Sequence, residues 1–138
     1  MPAATGPYVT TQAKMPYHRS AAPMAAGAVV YGGTIVAINA AGEALPASDG
    51  AAAVAVGRAL ETYDNTGGAA GDVQALIEIG WFAWDGSGVT AGDVGAIATV
   101  VASDDVTVEA AGLGLALGRI RELDPVTGQV WVDTGDKA

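Results

Sequence analysis

The chain has no cysteine, a single histidine and only six basic side chains among its 138 residues. Without cysteine, a disulfide scaffold and a thiolate metal site are both excluded. His18 lies in a proline-rich segment, where a preorganised general base is not expected. The sequence also lacks a Gly-Xaa-Ser-Xaa-Gly elbow and the strand-to-helix context of a phosphate-binding loop. It therefore predicts a protein that is not an enzyme and holds no cofactor or metal.

Long apolar runs and basic patches are missing as well. No apolar stretch reaches the ~18 residues of a membrane helix, so no membrane partner is expected. The opening MPAATGPYVTTQ has neither a basic n-region nor an apolar h-region, and no secretory signal is predicted. The formal net charge is −9, and all 15 acidic residues follow residue 26. An acidic body disfavours binding to nucleic acid, whose phosphates are neutralised by basic groups.

Two kinds of acidic position stand out, and both have a structural interpretation. Asp104 and Asp105, with Glu109 nearby, are interpreted as solvated turn caps rather than calcium ligands. Glu61 and Glu122 each follow an arginine by three residues, which predicts exposed Arg–Glu pairs worth under ~1 kcal/mol each.

What the chain does contain is glycine, alanine and valine in short β-like runs. There are 20 glycines, and an alanine- and valine-rich core is thin, so association with partners is expected to complete it. From residue 27 onward turn signals separate the strand candidates, which are 28–31, 34–39, 53–63, 73–84, 95–102, 106–110, 115–123 and 129–133. This pattern predicts an all-β fold, a small β-sandwich or barrel-like domain.

One hairpin unit is present twice. VAVGRALETYDNTGG with VQALIEIG begins at Val54, and LALGRIRELDPVTG with QVWVDTG begins at Leu115. Such self-similarity indicates one supersecondary unit used twice, so we expect repeat-like halves at about 27–85 and 86–138. The first copy is longer by an insertion near residues 67–72, which is a natural place for a contact loop.

Residues 1–26 are predicted to form an extended arm in front of this domain. Pro2, Pro7, Pro16 and Pro23 interrupt every helical window. The arm carries apolar and basic side chains and no acid, which suggests that it orders on a neighbouring protein. Its candidate binding residues are Pro7, Tyr8, Lys14, Met15, Tyr17, Arg19 and Met24.

The strongest interaction signal in the body is aromatic. Trp is enriched in binding hot spots because it buries a large area and keeps a donor. Trp81 is interpreted as core, whereas Trp84 lies on the opposite face beside the Asp85-Gly86 turn and is the better candidate for a subunit contact. The candidate oligomer contacts are Trp81, Phe82, Trp84 and Trp131.

The segments GAVVYGG, IVAINAAGEALPASDG and AAAVAVGRAL followed by VQALIEIGWFAWD resemble the head-decoration, or capsid cement, proteins of tailed bacteriophages. The resemblance covers roughly residues 8–108 and implies a compact, β-tulip-like β domain behind a Pro- and Thr-rich arm. It implies a structural virion protein, made in the host cytoplasm, that binds the outer surface of the expanded capsid. There it would bridge major capsid subunits, typically as a homotrimer.

A different class of function stays open at this stage. Trp81, Trp84 and Asp85 could form a sugar platform, which would make the protein a carbohydrate-binding β module on a phage or cell surface.

Overall fold

The computed structural model describes residues 6–7, 18–101 and 104–137, and nearly all regular structure in this part of the chain is β-strand. The described residues form twelve strands and one 3₁₀ turn at Ala91–Asp93, with no α-helix among them. The predicted all-β fold class is confirmed. The strands make two five-stranded units in tandem, which we call the first unit and the second unit, and one two-stranded ribbon.

The first unit is a strongly curled sheet. Its strands are β1 (His18–Pro23), β3 (Ile35–Ile38), β4 (Ala44–Pro46), β5 (Val54–Ala59) and β7 (Gln74–Ile79), and the ribbon pairs β2 (Val29–Val30) with β6 (Tyr63–Asp64). The order is β1-β7-β5-β3-β4, with antiparallel neighbours. Met24 forms a parallel bridge with Ala44, and the Ala25 N–H donates to the Ala44 carbonyl at 2.9 Å. The two outer strands therefore meet at one end.

The second unit is a closed barrel. It comprises β8 (Trp81–Gly86), β9 (Ile97–Val100), β10 (Thr107–Ala110), β11 (Ala116–Leu123) and β12 (Gln129–Asp133). Around the barrel the order is β8-β12-β11-β9-β10, and β10 pairs in parallel with β8 to close it. The Ser87 N–H donates to the Val108 carbonyl at 2.8 Å, at the position that Ala25 and Ala44 occupy in the first unit.

The two units are one structure used twice. Strands β1, β3, β4, β5 and β7 correspond to β8, β9, β10, β11 and β12, with the same order, the same strand directions and the same parallel closure. The repeat that the sequence shows in one hairpin therefore extends over residues 18–79 and 81–133. The boundary lies at Gly80 and not near residue 85, because β1 belongs to the first unit and β8 opens the second.

The correspondence holds residue by residue. Arg58 faces Ile35 and Glu78 on its two neighbouring strands, and Arg119 faces Ile97 and Asp133. Both arginine strands also have an irregular register against the preceding strand, at Val56 and at Leu117. Two copies with the same bulge in the same register indicate a duplicated fold and not a chance likeness of two hairpins.

The repeated glycine before each arginine has a steric cause. A Cβ on Gly57 would lie 2.2 Å from the carbonyl oxygen of Glu78, and one on Gly118 would lie 2.1 Å from that of Asp133. Each glycine sits where its strand passes unusually close to the next strand. Glycine is required there because the obstacle is backbone, which cannot rotate away.

Several predicted strand limits are wrong. The predicted strand 73–84 is two strands, because Gly80 carries the chain from the first unit into the second. The predicted strand 53–63 ends at Ala59. Two strands were not predicted at all, β4 and β1, and β1 lies within the segment assigned to the arm.

The insertion at residues 67–72 covers one end of the first unit. Asn65, 3% exposed, donates from its amide nitrogen to the carbonyls of Ala25 at 2.9 Å and Ala69 at 3.0 Å. The Gly71 N–H donates to the Met24 carbonyl at 2.9 Å. The loop is thus bonded to its own unit, and contact with a partner through it stays a prediction.

Candidate binding surfaces

The first candidate surface is the outer edge of β1. This strand pairs with β7 on one side, and on its other side the described residues contribute only the Met24–Ala44 bridge. His18, Arg19, Ser20 and Ala21 are all exposed. Arg19 places a cation on this edge, in a molecule whose body is acidic. Within the part of the chain that the structure describes, this edge therefore offers backbone groups without a strand partner, and one positive charge, to a partner protein.

The structure places the residues predicted for the arm in different environments. Pro7 is exposed, and Tyr8, Lys14, Met15 and Tyr17 lie outside the described residues. Arg19 lies on β1, within the first unit. Met24 is fully buried in the core of the first unit with Ala22, Val36 and Ile77, so its assignment as a shell-binding side chain is wrong. Burial of an unbranched apolar side chain in a thin core explains why methionine stands there.

The predicted aromatic contact surface does not form. Phe82 and Trp84 are fully buried and Trp131 is 5% exposed, so these three side chains belong to the protein's own core. The Phe82 and Trp84 rings meet edge to face with centroids 6.0 Å apart. Their assignment as oligomer contacts is therefore wrong. Alternation along β8 assigns side chains to two faces of the strand, but it does not show whether either face is exposed to solvent.

Only Trp81 of this group is partly exposed. The Arg121 guanidinium lies over its ring at 5.7 Å, and Arg121 also contacts Asp133 at 3.3 Å and Asp136 at 2.8 Å. With Trp84 buried and Trp81 beside an arginine, the sugar platform of Trp81, Trp84 and Asp85 is not assembled.

The buried rings instead help to join the two units. Ile35 and Ala55 belong to the first unit by sequence, yet they pack in the core cluster of the second unit with Phe82 and Trp84. The Arg58 guanidinium lies 3.9 Å from the centre of the Phe82 ring. A cation over an aromatic face is attracted by the ring quadrupole. We call this contact region the joint.

Backbone and side-chain hydrogen bonds fix the joint. The Ile35 N–H donates to the Asp105 carbonyl at 2.8 Å, and the Ser48 N–H donates to the Asp105 carboxylate at 2.7 Å. The Trp84 indole N–H donates to the Gly33 carbonyl at 3.3 Å. Asp104 and Asp105 are 0% and 2% exposed, so their prediction as solvated caps is wrong. Asp105 is a structural acceptor between the units.

The ion pair beside the joint is buried. Arg58 contacts Glu78 at 2.8 Å, with the two side chains 14% and 4% exposed. The predicted partner, Glu61, is exposed and takes no part in it. In the second unit Arg119 contacts Asp136 at 3.0 Å and donates to the Gly95 carbonyl at 2.6 Å, where the sequence predicted Glu122. Arg119 and Asp136 are 28% and 31% exposed, so the pair lies nearer the surface than its counterpart.

The second candidate surface lies on the second unit. It occupies the positions that correspond to the residues with which the first unit forms the joint, Ile35, Ala55 and Arg58. We call it the outer face, and it consists of Ile97, Ala116 and Arg119. Ala55 is fully buried in the joint, whereas the corresponding Ala116 is exposed. Ile35 is fully buried, whereas Ile97 is half-buried. The fully exposed Leu113 lies in the loop just before this face.

The third candidate surface, which we call the mouth, lies between the first unit and the segment that follows β12. A cavity of about 380 Å³ lies there, lined by His18, Val54, Ala55, Val56 and Ile79 with Thr134, Gly135 and Lys137. Ala55 also packs in the joint, and Thr134, Gly135 and Lys137 follow directly after β12, so the cavity lies beside the joint. Desolvation lowers the pKa of Lys137, and the Asp133 carboxylate acts in the opposite direction.

The sequence contains one signal for the joint, a glycine at corresponding positions of the two units. Gly33 and Gly95 occupy corresponding positions and both have a positive φ, at 83° and 98°. Asp105 gives no comparable signal, because an aspartate in a turn is usually exposed.

The described residues contain no group of three or more His, Asp or Glu side chains placed to hold a metal ion. They also contain no helix of the length and apolar character that crossing a membrane requires. No protein-family profile, no curated protein sequence and no solved structure matches this chain.

Proposed function

We propose that this protein is a structural virion protein that binds the outer surface of the expanded bacteriophage capsid and stabilises it by bridging major capsid subunits. The proposal starts from the resemblance of residues 8–108 to capsid decoration proteins. The observation that carries it furthest is the exposed edge of β1, because this strand lies within the segment predicted to be the binding arm.

The edge supports attachment through added β-structure. A strand of a shell protein can pair with the free side of β1, with main-chain hydrogen bonds supplying affinity. Arg19 stands on this edge, so an acidic shell surface would be favoured as the partner. Many copies on one shell make a weak individual contact effective through avidity.

The fold is compatible with a passive mechanical role. The two units are joined by buried packing and by the contact of Arg58 with Phe82, and no long flexible connection lies between them, because Gly80 alone separates β7 from β8. A body of this kind transmits force between two attachment points better than two domains on a flexible linker.

The experiment is decoration of expanded shells by a chain that lacks residues 1–17. This truncation leaves β1 and Met24 in place, and urea denaturation of both chains, run in parallel, shows whether the body stays folded. We expect it to bind shells much more weakly, as measured by cosedimentation and electron microscopy. Equal decoration by both chains would overturn the role of the arm, and failure of the full chain to bind any expanded shell would overturn the function.

A control deletion of residues 1–26 separates folding from binding. It removes β1 and the buried Met24, so we expect it to destabilise the first unit. Loss of binding in that variant alone would therefore say nothing about the arm.

A further inference from the structure

We propose that the second unit binds Ca²⁺ at the start of β10, through the side chains of Asp104 and Thr107. The ion lies beside the joint in this proposal and stabilises the packing of the two units. The inference does not depend on shell binding. It departs from the expectation, drawn from the sequence, that the protein holds no metal.

The Asp104 carboxylate is buried against the start of β10. Asp104 is 0% exposed and Thr107 is 3% exposed. Oδ1 of Asp104 accepts the Val106 N–H at 2.7 Å and the Thr107 N–H at 3.1 Å. These two bonds fix the carboxylate beside the backbone of Thr107.

Two buried oxygen atoms at this place have no hydrogen-bond partner among the described residues, namely Oδ2 of Asp104 and the hydroxyl oxygen of Thr107. A buried polar atom normally has a partner, which is a protein group, an ordered water or an ion. Oδ2 is bonded to the same carbon as Oδ1, so it too lies close to Thr107. The two oxygen atoms are therefore placed to share one ligand.

The charge of Asp104 favours a cation over a water molecule as that ligand. A buried carboxylate is costly unless a positive charge compensates it. The ion pairs in the described part of the chain use Glu78, Asp133 and Asp136, and none of them reaches Asp104. A water molecule would satisfy the hydrogen bonds without compensating the charge. A cation at Oδ2 does both.

The first unit satisfies the acid at the corresponding position with its own amide. By strand register Asn39 and Glu43 correspond to Val101 and Thr107, and in both units the first residue donates its N–H to the carbonyl of the second at 3.0 Å. The Asn39 amide nitrogen also donates to the Glu43 carboxylate at 2.9 Å. Val101 has no side-chain donor, and the second unit has Asp104 nearby. The second unit thus has an acid at this place without the amide that serves the acid in the first.

Oxygen ligands of this kind select a hard cation. Ca²⁺ accepts carboxylate, carbonyl and water oxygens in flexible geometry, whereas Mg²⁺ demands a near-ideal octahedron. The Val101 and Thr107 carbonyls each retain a second lone pair, and water can complete the set. The site needs no cluster of three acidic side chains, which the described residues do not contain. Because it has a single unpartnered carboxylate oxygen, we expect a Kd of about 10⁻⁴–10⁻³ M.

The ion acts on the joint through the next residue. Asp105 accepts the Ile35 N–H with its carbonyl at 2.8 Å and the Ser48 N–H with its carboxylate at 2.7 Å. Both donors belong to the first unit. A cation that fixes Asp104 therefore restricts the residue that bonds the two units together, and because it binds only the folded chain it raises the stability of the protein.

The test uses the full-length chain and calcium chloride as the probe. After treatment with EDTA and removal of the chelator, isothermal titration calorimetry is expected to detect a site with the Kd given above. Urea denaturation should show a higher unfolding midpoint in about 10 mM calcium chloride than in EDTA, because the ion binds only the folded state. Choline chloride matches the ionic strength of the two buffers.

Two variants locate the ion. Thr107→Val removes the hydroxyl but keeps both bonds to Oδ1, so in EDTA it should be at least as stable as the wild type. Its affinity for Ca²⁺ should fall about tenfold or more, since even residues that only orient a metal ligand give such losses. Asp104→Asn should not bind Ca²⁺ at this site. Asp49→Asn, at an exposed carboxylate, is the matched control and should bind as the wild type does.

Three outcomes decide the proposal. A wild type that binds no Ca²⁺ and unfolds at the same urea concentration in both buffers would overturn it, and a water molecule would then serve the two oxygen atoms. Binding that Thr107→Val leaves unchanged would also overturn it, because the ion would then lie elsewhere on the acidic protein. Weakened binding in Thr107→Val with normal stability in EDTA supports the site, even if Asp104→Asn fails to fold.

Discussion

The two units share one topology but differ in what fills and covers them. The interior of the second unit holds Phe82 and Trp84, and the first unit lies against them. At the corresponding positions the first unit has Ser20, which is exposed, and Ala22, which is buried. The difference teaches that duplication preserved the backbone register, whereas the side chains diverged according to whether a neighbouring unit covers them.

The largest effect is expected where the second unit is filled. Trp84→Ala makes that interior resemble the first unit, and it should lower the free energy of unfolding by about 4 kcal/mol, since a buried aromatic side chain is lost. Urea denaturation followed by circular dichroism measures it. Trp84→Phe keeps most of the packing and loses the hydrogen bond to Gly33, which should cost about 1 kcal/mol beyond the change in packing. A negligible loss in Trp84→Ala would show that the ring does not support the core.

The next prediction compares corresponding carboxylates. Glu78→Ala leaves the Arg58 charge beside the joint without the carboxylate it contacts, and it should destabilise the fold by about 3 kcal/mol. Asp133→Ala removes the corresponding carboxylate from a more exposed pair and should cost about 1 kcal/mol or less. Both variants are measured by urea denaturation at low and high salt. Only the loss of unfolding free energy in Asp133→Ala should become clearly smaller at high salt. Equal losses would contradict the difference in burial.

A smaller effect than that of Glu78→Ala is expected at a feature that the two units share. Gly57→Ala and Gly118→Ala each push a methyl group against a backbone carbonyl, and each should cost about 2 kcal/mol. Unfolding midpoints of the two variants should agree closely, because the same crossing of strands is disturbed twice. Gly42→Ala, in an open turn, serves as a control for a strained backbone without a clash. A large difference between the unfolding midpoints of Gly57→Ala and Gly118→Ala would contradict the structural correspondence of the two units.

The sequence was sufficient for the local part of this fold. The Gly-Arg repeat and the turn residues identified the β5–β7 and β11–β12 pairs, because those features are fixed by neighbouring strands. It was insufficient for β1, whose short polar sequence before Pro23 resembles an arm until the strand is seen paired with β7. Closure through Met24 and Ala44 depends on long-range packing that no local pattern encodes.

The binding surfaces were predicted less well, for a related physical reason. A tryptophan next to a turn looks exposed in a pattern of alternation, but Trp84 is covered by residues some fifty positions earlier, as its bond to Gly33 shows. The outer face becomes visible only when exposure is compared between corresponding residues such as Ala55 and Ala116, which requires the register of all strands.

A covalent bond across the joint tests most directly whether the two units pack as described. The Ile35 N–H donates to the Asp105 carbonyl at 2.8 Å, and residues bonded in this way bring their Cα atoms within the ~4.4–6.8 Å that a disulfide spans. The native chain has no cysteine to interfere. Under mild oxidation, the variant carrying both Ile35→Cys and Asp105→Cys should form a disulfide within one chain, seen as faster migration on a non-reducing gel and as loss of both free thiols. Each single variant should keep its free thiol. A double variant that keeps both thiols would contradict the contact between the units.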